Sequence, residues 1–102
     1  MAAVGDMFSI DLQSVANAGF LDIRPAALHE VVIHNIYWVN GSDVEVYRSD
    51  GTGNEVKVQP TNNDGLIAFY AFHCDNTQRL RIKNISGGAM YMAADGMYTK
   101  VA

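Results

Sequence analysis

Three histidines and a single cysteine are the residues of this chain best suited to catalysis or metal binding. His29 and His34 stand five positions apart on a predicted strand, and odd spacing sends strand side chains to opposite faces. They cannot chelate one ion together. His73 lies on another predicted strand beside Cys74, and adjacent strand residues diverge in the same way. A zinc site needs three or four convergent ligands, and no spacing here supplies them. A nucleophilic thiol needs a base within hydrogen-bond reach, which for Cys74 would have to be a distant histidine. A buried, inert thiol closing an apolar strand is the simpler expectation.

The segment Ser49 to Glu55 offers oxygen ligands and glycines, but not the alternating acidic or amide positions that an EF-hand sets before its glycine. Nothing nominates a carboxylate pair for glycoside hydrolysis. The sequence therefore predicts no catalytic residue, no metal site, no cofactor and no enzyme. Arg79, Arg81 and Lys83 alternate with Leu80, Ile82 and Ile85, which places a basic stripe on one sheet face. Such a stripe either holds an acidic neighbour or a phosphate backbone, or is a solvated face balanced by strand acids such as Glu45 and Glu55 at cross-strand spacing. Asn40-Gly41-Ser42 and Asn84-Ile85-Ser86 fit the glycosylation pattern, a short match common by chance.

Strands and tight turns must position these groups. Asn40-Gly41, Asp50-Gly51, Asp64-Gly65, Gly87-Gly88 and Asp95-Gly96 are turn signals, because Asn-Gly and Asp-Gly take the positive φ of hairpins readily. Between them, Met7 to Leu12 alternates, with Phe8, Ile10 and Leu12 on one side. Ser14 to Ala18 reads equally as strand, bulge or a loose helical turn. Arg24-Pro25 ends the element that holds Phe20, Leu21 and Ile23. A long strand spans about His29 to Val39. Val44, Val46, Val56 and Val58 face one way on two strands that flank the Asp50 to Asn54 loop as a hairpin. Leu66 to Cys74 is apolar on both faces, and Arg79 to Ile85 alternates. Ala89 to Ala93 and Met97 to Val101 are expected to meet across Asp95-Gly96. The fold class is all-β, an antiparallel β-sandwich or jelly roll of about eight strands.

Two strands carry more apolar surface than one small core needs. Val32, Ile36 and Trp38 share one face of the long strand, and Val31, Ile33, Tyr37 and Val39 share the other. Leu66, Ala68, Tyr70 and Phe72 oppose Ile67, Phe69 and Ala71. A sandwich strand normally turns its second face to water, so these faces predict either a covering segment, such as the chain up to Ile23, or a partner. The candidate interface residues are Tyr37, Trp38, Phe69, Arg79, Arg81, Lys83, Tyr91 and Tyr98, with the aromatics as anchors.

The 102 residues make one domain, residues 7–102, preceded by an arm of residues 1–6 that is expected to order on contact. A formal charge of −4 disfavours nucleic acid and anionic membranes as partners. The longest apolar run, Leu66 to Phe72, is too short to span a bilayer, and the first residues lack the basic start and apolar core of a signal peptide. A lone cysteine leaves no internal disulfide and fits folding in a reducing cytoplasm.

The runs Phe20 to Pro25, Val32 to Tyr37, Val44 to Gly51, Asn76 to Gly87 and Tyr91 to Gly96 together carry a resemblance. From Phe20 onward the chain resembles small tailed-bacteriophage virion structural proteins of the capsid cement or decoration type. That resemblance implies a non-enzymatic protein of the virion, assembled in the host cytoplasm, that binds the major capsid protein or other virion proteins. It implies a homo-oligomer, dimer or trimer, gaining avidity on a symmetric shell. A neck, tail or fibre-associated component is the alternative within the same class. A carbohydrate- or receptor-binding module, with Trp38, Tyr37 or Tyr47 as a stacking platform, is the alternative outside it. A small metal-dependent enzyme is the third.

Overall fold

Alternation of β-branched and polar residues, broken by glycine-rich turns, resolves into nine strands in a computed structural model that describes residues 2–39, 43–62, 65–68 and 70–102. They are β1 (Met7–Val15), β2 (Phe20–Ile23), β3 (Glu30–Val39), β4 (Val44–Ser49), β5 (Glu55–Asn62), β6 (Leu66–Ile67), β7 (Phe72–Asp75), β8 (Arg79–Asn84) and β9 (Met90–Lys100). One sheet runs β1-β9-β3, with β6 and β7 both pairing the far side of β3, and the other runs β2-β8-β4-β5. Neighbours are antiparallel throughout. With β6 and β7 taken as one interrupted strand, the order is that of a jelly roll, two Greek keys folded into facing sheets.

The core lies between the sheets. Leu21, Ile23, Val44, Val46, Leu80 and Ile82 of the four-stranded sheet meet Val15, Val31, Ile33, Ile36, Trp38, Ile67, Met90 and Met92 of the five-stranded sheet. Each fully buried Ile or Leu contributes roughly 1.5–3 kcal/mol relative to exposure. Among the described residues Ser49 and Asn84 are the buried polar ones, and Asn84 is the more completely enclosed. Its Nδ2 donates to the carbonyls of Val15 and Gly88 at 2.9 and 2.7 Å, and its Oδ1 accepts from the amide and hydroxyl of Ser86. All its hydrogen-bonding capacity is used, which allows an amide to sit fully buried.

Bulges reset the alternation that the sequence displays. Ile33 pairs with Gly96 and Asn35 with Asp95, so His34 is an extra residue on β3. That single insertion reverses side-chain parity, as a bulge does. Val31 and Ile33 before it, and Ile36 and Trp38 after it, all reach the core, whereas Val32, Tyr37 and Val39 face outward. The two-sided apolar pattern expected of β3 is thus largely one core face with a step in it. On β1 a shift between Ile10 and Gln13 ejects Leu12, which is 55% exposed, and Val15 takes the core position instead.

Other expectations are also corrected. Ala89 to Ala93 and Met97 to Val101 are not two strands around a turn, because β9 runs unbroken through Asp95-Gly96. Leu66 to Cys74 is not one strand. Ala68, Tyr70 and Ala71 lie outside the strands, where the Tyr70 amide donates to the His34 carbonyl and His34 Nδ1 lies 2.7 Å from the Tyr70 carbonyl. Val56 pairs with Arg48 beyond the edge of the core and is 65% exposed. The Asp50 loop does close the β4–β5 hairpin, with Gly51 and Gly53 at positive φ. Residues 3–6 are tied to β9: the Gly5 amide donates to the Tyr98 carbonyl, and the Tyr98 amide to the Asp6 carbonyl. The expected turns at Asn40-Gly41 and Asp64-Gly65 rest on Asn40, Gly41 and Asp64, which lie outside the described residues.

Candidate docking face

The two outer faces of the sandwich differ in chemistry. On the four-stranded sheet, Arg79, Arg81 and Lys83 of β8 and Glu45 of β4 alternate with core residues and carry charge. Arg79 lies 3.5 Å from Asp22, Arg81 lies 2.8 Å from Glu55, and Lys57 lies 2.5 Å from Glu45. The guanidinium of Arg81 also covers the Phe20 ring at 3.9 Å, a cation–π contact. Glu45 accepts from Lys57 and from the Tyr47 hydroxyl, which holds its carboxyl below the ordinary value and pushes both partners' pKa up. Arg79 and Arg81 of the basic stripe are therefore paired with strand acids, although the Nε of each is buried without a hydrogen-bond partner, and Lys83 lies 5.9 Å from the Phe20 ring.

The outer face of the five-stranded sheet carries an exposed apolar patch among polar residues. Register sets Met7 beside Met97, Met97 beside Val32, Tyr37 beside Leu66 and Ala93, and Val39 beside Tyr91. Met7, Tyr37, Val39, Leu66, Tyr91 and Met97 are all exposed. Asp95 stands among them, accepting from Asn35 Nδ2 at 2.7 Å and from the Tyr37 hydroxyl at 2.9 Å. The Tyr37 hydroxyl is held above its usual pKa by that bond. An exposed apolar patch of this kind on a small domain is a candidate contact surface.

The expected interface residues divide between places. Tyr37 and Tyr91 share the apolar face. Arg79, Arg81 and Lys83 occupy the opposite, charged face, and Phe69 lies outside the described residues. Trp38 is 2% exposed in the core, so it is neither a surface anchor nor part of a sugar platform. Tyr98 is half-buried on the core side, edge-on to Phe8 at 5.6 Å. The sequence does not single out Asp95, Met97 or Met7 as interface residues, and it marks Leu66 only as part of a two-sided apolar run. Read as one strand, residues 90–100 alternate Met90, Met92 and Ala94 against Tyr91, Ala93, Asp95 and Met97, and that signal would have found two of them.

The groups suited to chemistry stay apart. His29 stacks edge-on against Tyr98, His34 anchors the bulge, and His73 faces outward on β7 while its carbonyl accepts from Arg48. Cys74 is buried in the core, and that burial pushes its thiol up to about 11, far from the thiolate that reactivity needs. No three His, Cys, Asp or Glu side chains group to hold a metal ion among the described residues. The chain matches no protein-family model and no curated protein.

Proposed function

We propose that this chain is a non-enzymatic structural protein that docks the outer face of its five-stranded sheet onto a neighbour, and that the neighbour is a phage capsid shell. The observation that carries this reading is the contrast between a self-paired charged face and an exposed apolar one. Apolar surface left on one side of a small sandwich favours association, and a jelly roll with short turns is a rigid block on which to display it. The resemblance of Phe20 onward to capsid cement proteins supplies the identity of the neighbour. Copies associated as dimers or trimers around a shell axis would gain by avidity.

Particles assembled with and without the chain test the role. Shells that carry it should melt at higher temperature, and adding the purified chain back should restore the difference. Unchanged thermal stability, or particles that never incorporate the chain, would sink the proposal.

A further inference from the structure

The apolar patch surrounds an anion, Asp95, and the sheet's one Lys or Arg, Lys100, stands at the end of β9 beside Glu30. Asp95 lies opposite Asn35 on β3 and Ser9 on β1. Two neutral donors, Asn35 Nδ2 and the Tyr37 hydroxyl, fix one oxygen each. Each carboxylate oxygen has room for a second hydrogen bond, so outward acceptor capacity remains. Asp11, exposed on β1, adds another negative charge to the same sheet.

None of the chain's seven Lys and Arg residues compensates it. Arg48, Lys57, Arg79, Arg81 and Lys83 belong to the other sheet, and Arg24 follows β2. Lys100 ends β9 and lies 3.6 Å from Glu30. Covering the face with a purely apolar partner would strip water from Asp95 without replacing its solvation, which is costly. A second copy whose twofold axis passed through Asp95 would set the two carboxylates against each other.

We infer that this face takes a protein partner that projects one Lys or Arg from an apolar patch. The cation lodges against the Asp95 carboxylate and the Tyr37 ring, and the surrounding apolar groups cover Met97, Tyr91 and Leu66. This rests on the docking role proposed above and specifies the chemistry of its partner. Tyr37 adds a ring face suited to a cation, and its bond to Asp95 holds carboxylate and ring in fixed relation.

An NMR titration of the full chain with two capped tripeptides tests it, acetyl-Leu-Arg-Leu-amide and its uncharged citrulline counterpart. The arginine peptide should shift the amides of Asn35, Tyr37 and Asp95 and bind about five-fold tighter than the citrulline peptide. Asp95→Asn, close to isosteric, should erase that preference while leaving the remaining spectrum in place. Equal binding of the two peptides, or shifts centred on Arg79 and Glu55, overturns the inference. So does a dimer in sedimentation that Met97→Glu dissociates, since a second copy then occupies the face. Shells lacking the chain separate the two proposals. Binding of wild type with loss for Asp95→Lys supports both, and equal binding of the two overturns the cation contact while the cement role stands. Shells that bind neither overturn the cement role, and the peptide preference alone then decides the cation contact.

Discussion

Gly96 on β9 meets Val32 on β3 so closely that a Cβ on the glycine would stand 1.8 Å from the Val32 carbonyl oxygen and 2.8 Å from Ile33 Cα. Both obstacles are backbone atoms inside the sheet, which cannot swing aside as a flexible side chain would. Gly96→Ala must push β9 from β3 beside the bulge at His34. The expected loss is about 3 kcal/mol, at the upper end for overpacking. Urea unfolding followed by Trp38 fluorescence measures it. A change under about 0.5 kcal/mol, typical of ordinary surface positions, would show that the strands yield freely.

The same contact explains what sequence could and could not reveal. Asp-Gly signals a hairpin because glycine tolerates positive φ, yet Gly96 is absent from the positive-φ glycines and serves instead to let two strands approach. The dipeptide looks identical in both uses. Where no bulge intervenes, alternation was legible: Leu80 and Ile82 on β8, and Val44 and Val46 on β4, all reach the core as their spacing implies. On β1 and β3 one extra residue reverses the faces, and a bulge is set by the partner strand rather than by local residues. Leu12 and Trp38 were misplaced for that reason. On the candidate face, Tyr37 and Tyr91 were visible as exposed aromatics, while Asp95 and Met97 were hidden by a turn that does not exist.

Asn84 ties the end of β8 to the end of β1 and to the turn before β9 through its bonds to Val15 and Gly88. Asn84→Ala removes both donors and the acceptor of Ser86, taking the side-chain bond from the Val15 carbonyl and leaving the Gly88 carbonyl with the Ser86 hydroxyl. Such losses cost about 2–4 kcal/mol together, so the variant should unfold at markedly lower denaturant. Asn84→Asp adds a buried charge at neutral pH and should recover part of the deficit as the medium is acidified. If Asn84→Ala melts with the wild type, the network is ornamental to stability.

Ala18 carries φ 66°, the left-handed region, in the turn between β1 and β2. A Cβ there is penalised by its own carbonyl, whereas glycine is not. Ala18→Gly should gain about 0.5–1 kcal/mol, the relief of strain exceeding the added unfolded-state entropy. Differential scanning calorimetry would register this as a rise of a few degrees. A fall in melting temperature would show that the turn holds alanine without strain.

Asp50 organises the β4–β5 loop. Its carboxylate accepts from the hydroxyl and amide of Thr52 and from the Asn54 side chain, which lower its pKa from 3.8 to about 2. A folded pKa below the unfolded one means that the ionised form favours folding. That contribution is full above 3.8 and disappears as pH falls toward 2, when the carboxyl protonates in both states. Asp50→Asn cannot ionise, so it should melt below the wild type near neutrality, with the gap closing across this acid window. Carboxyl-carbon NMR gives the direct readout, a midpoint for Asp50 near 2 in the folded chain. A midpoint at 3.8, or a melting difference that persists unchanged into acid, would mean that the loop bonds do not discriminate the charged carboxylate.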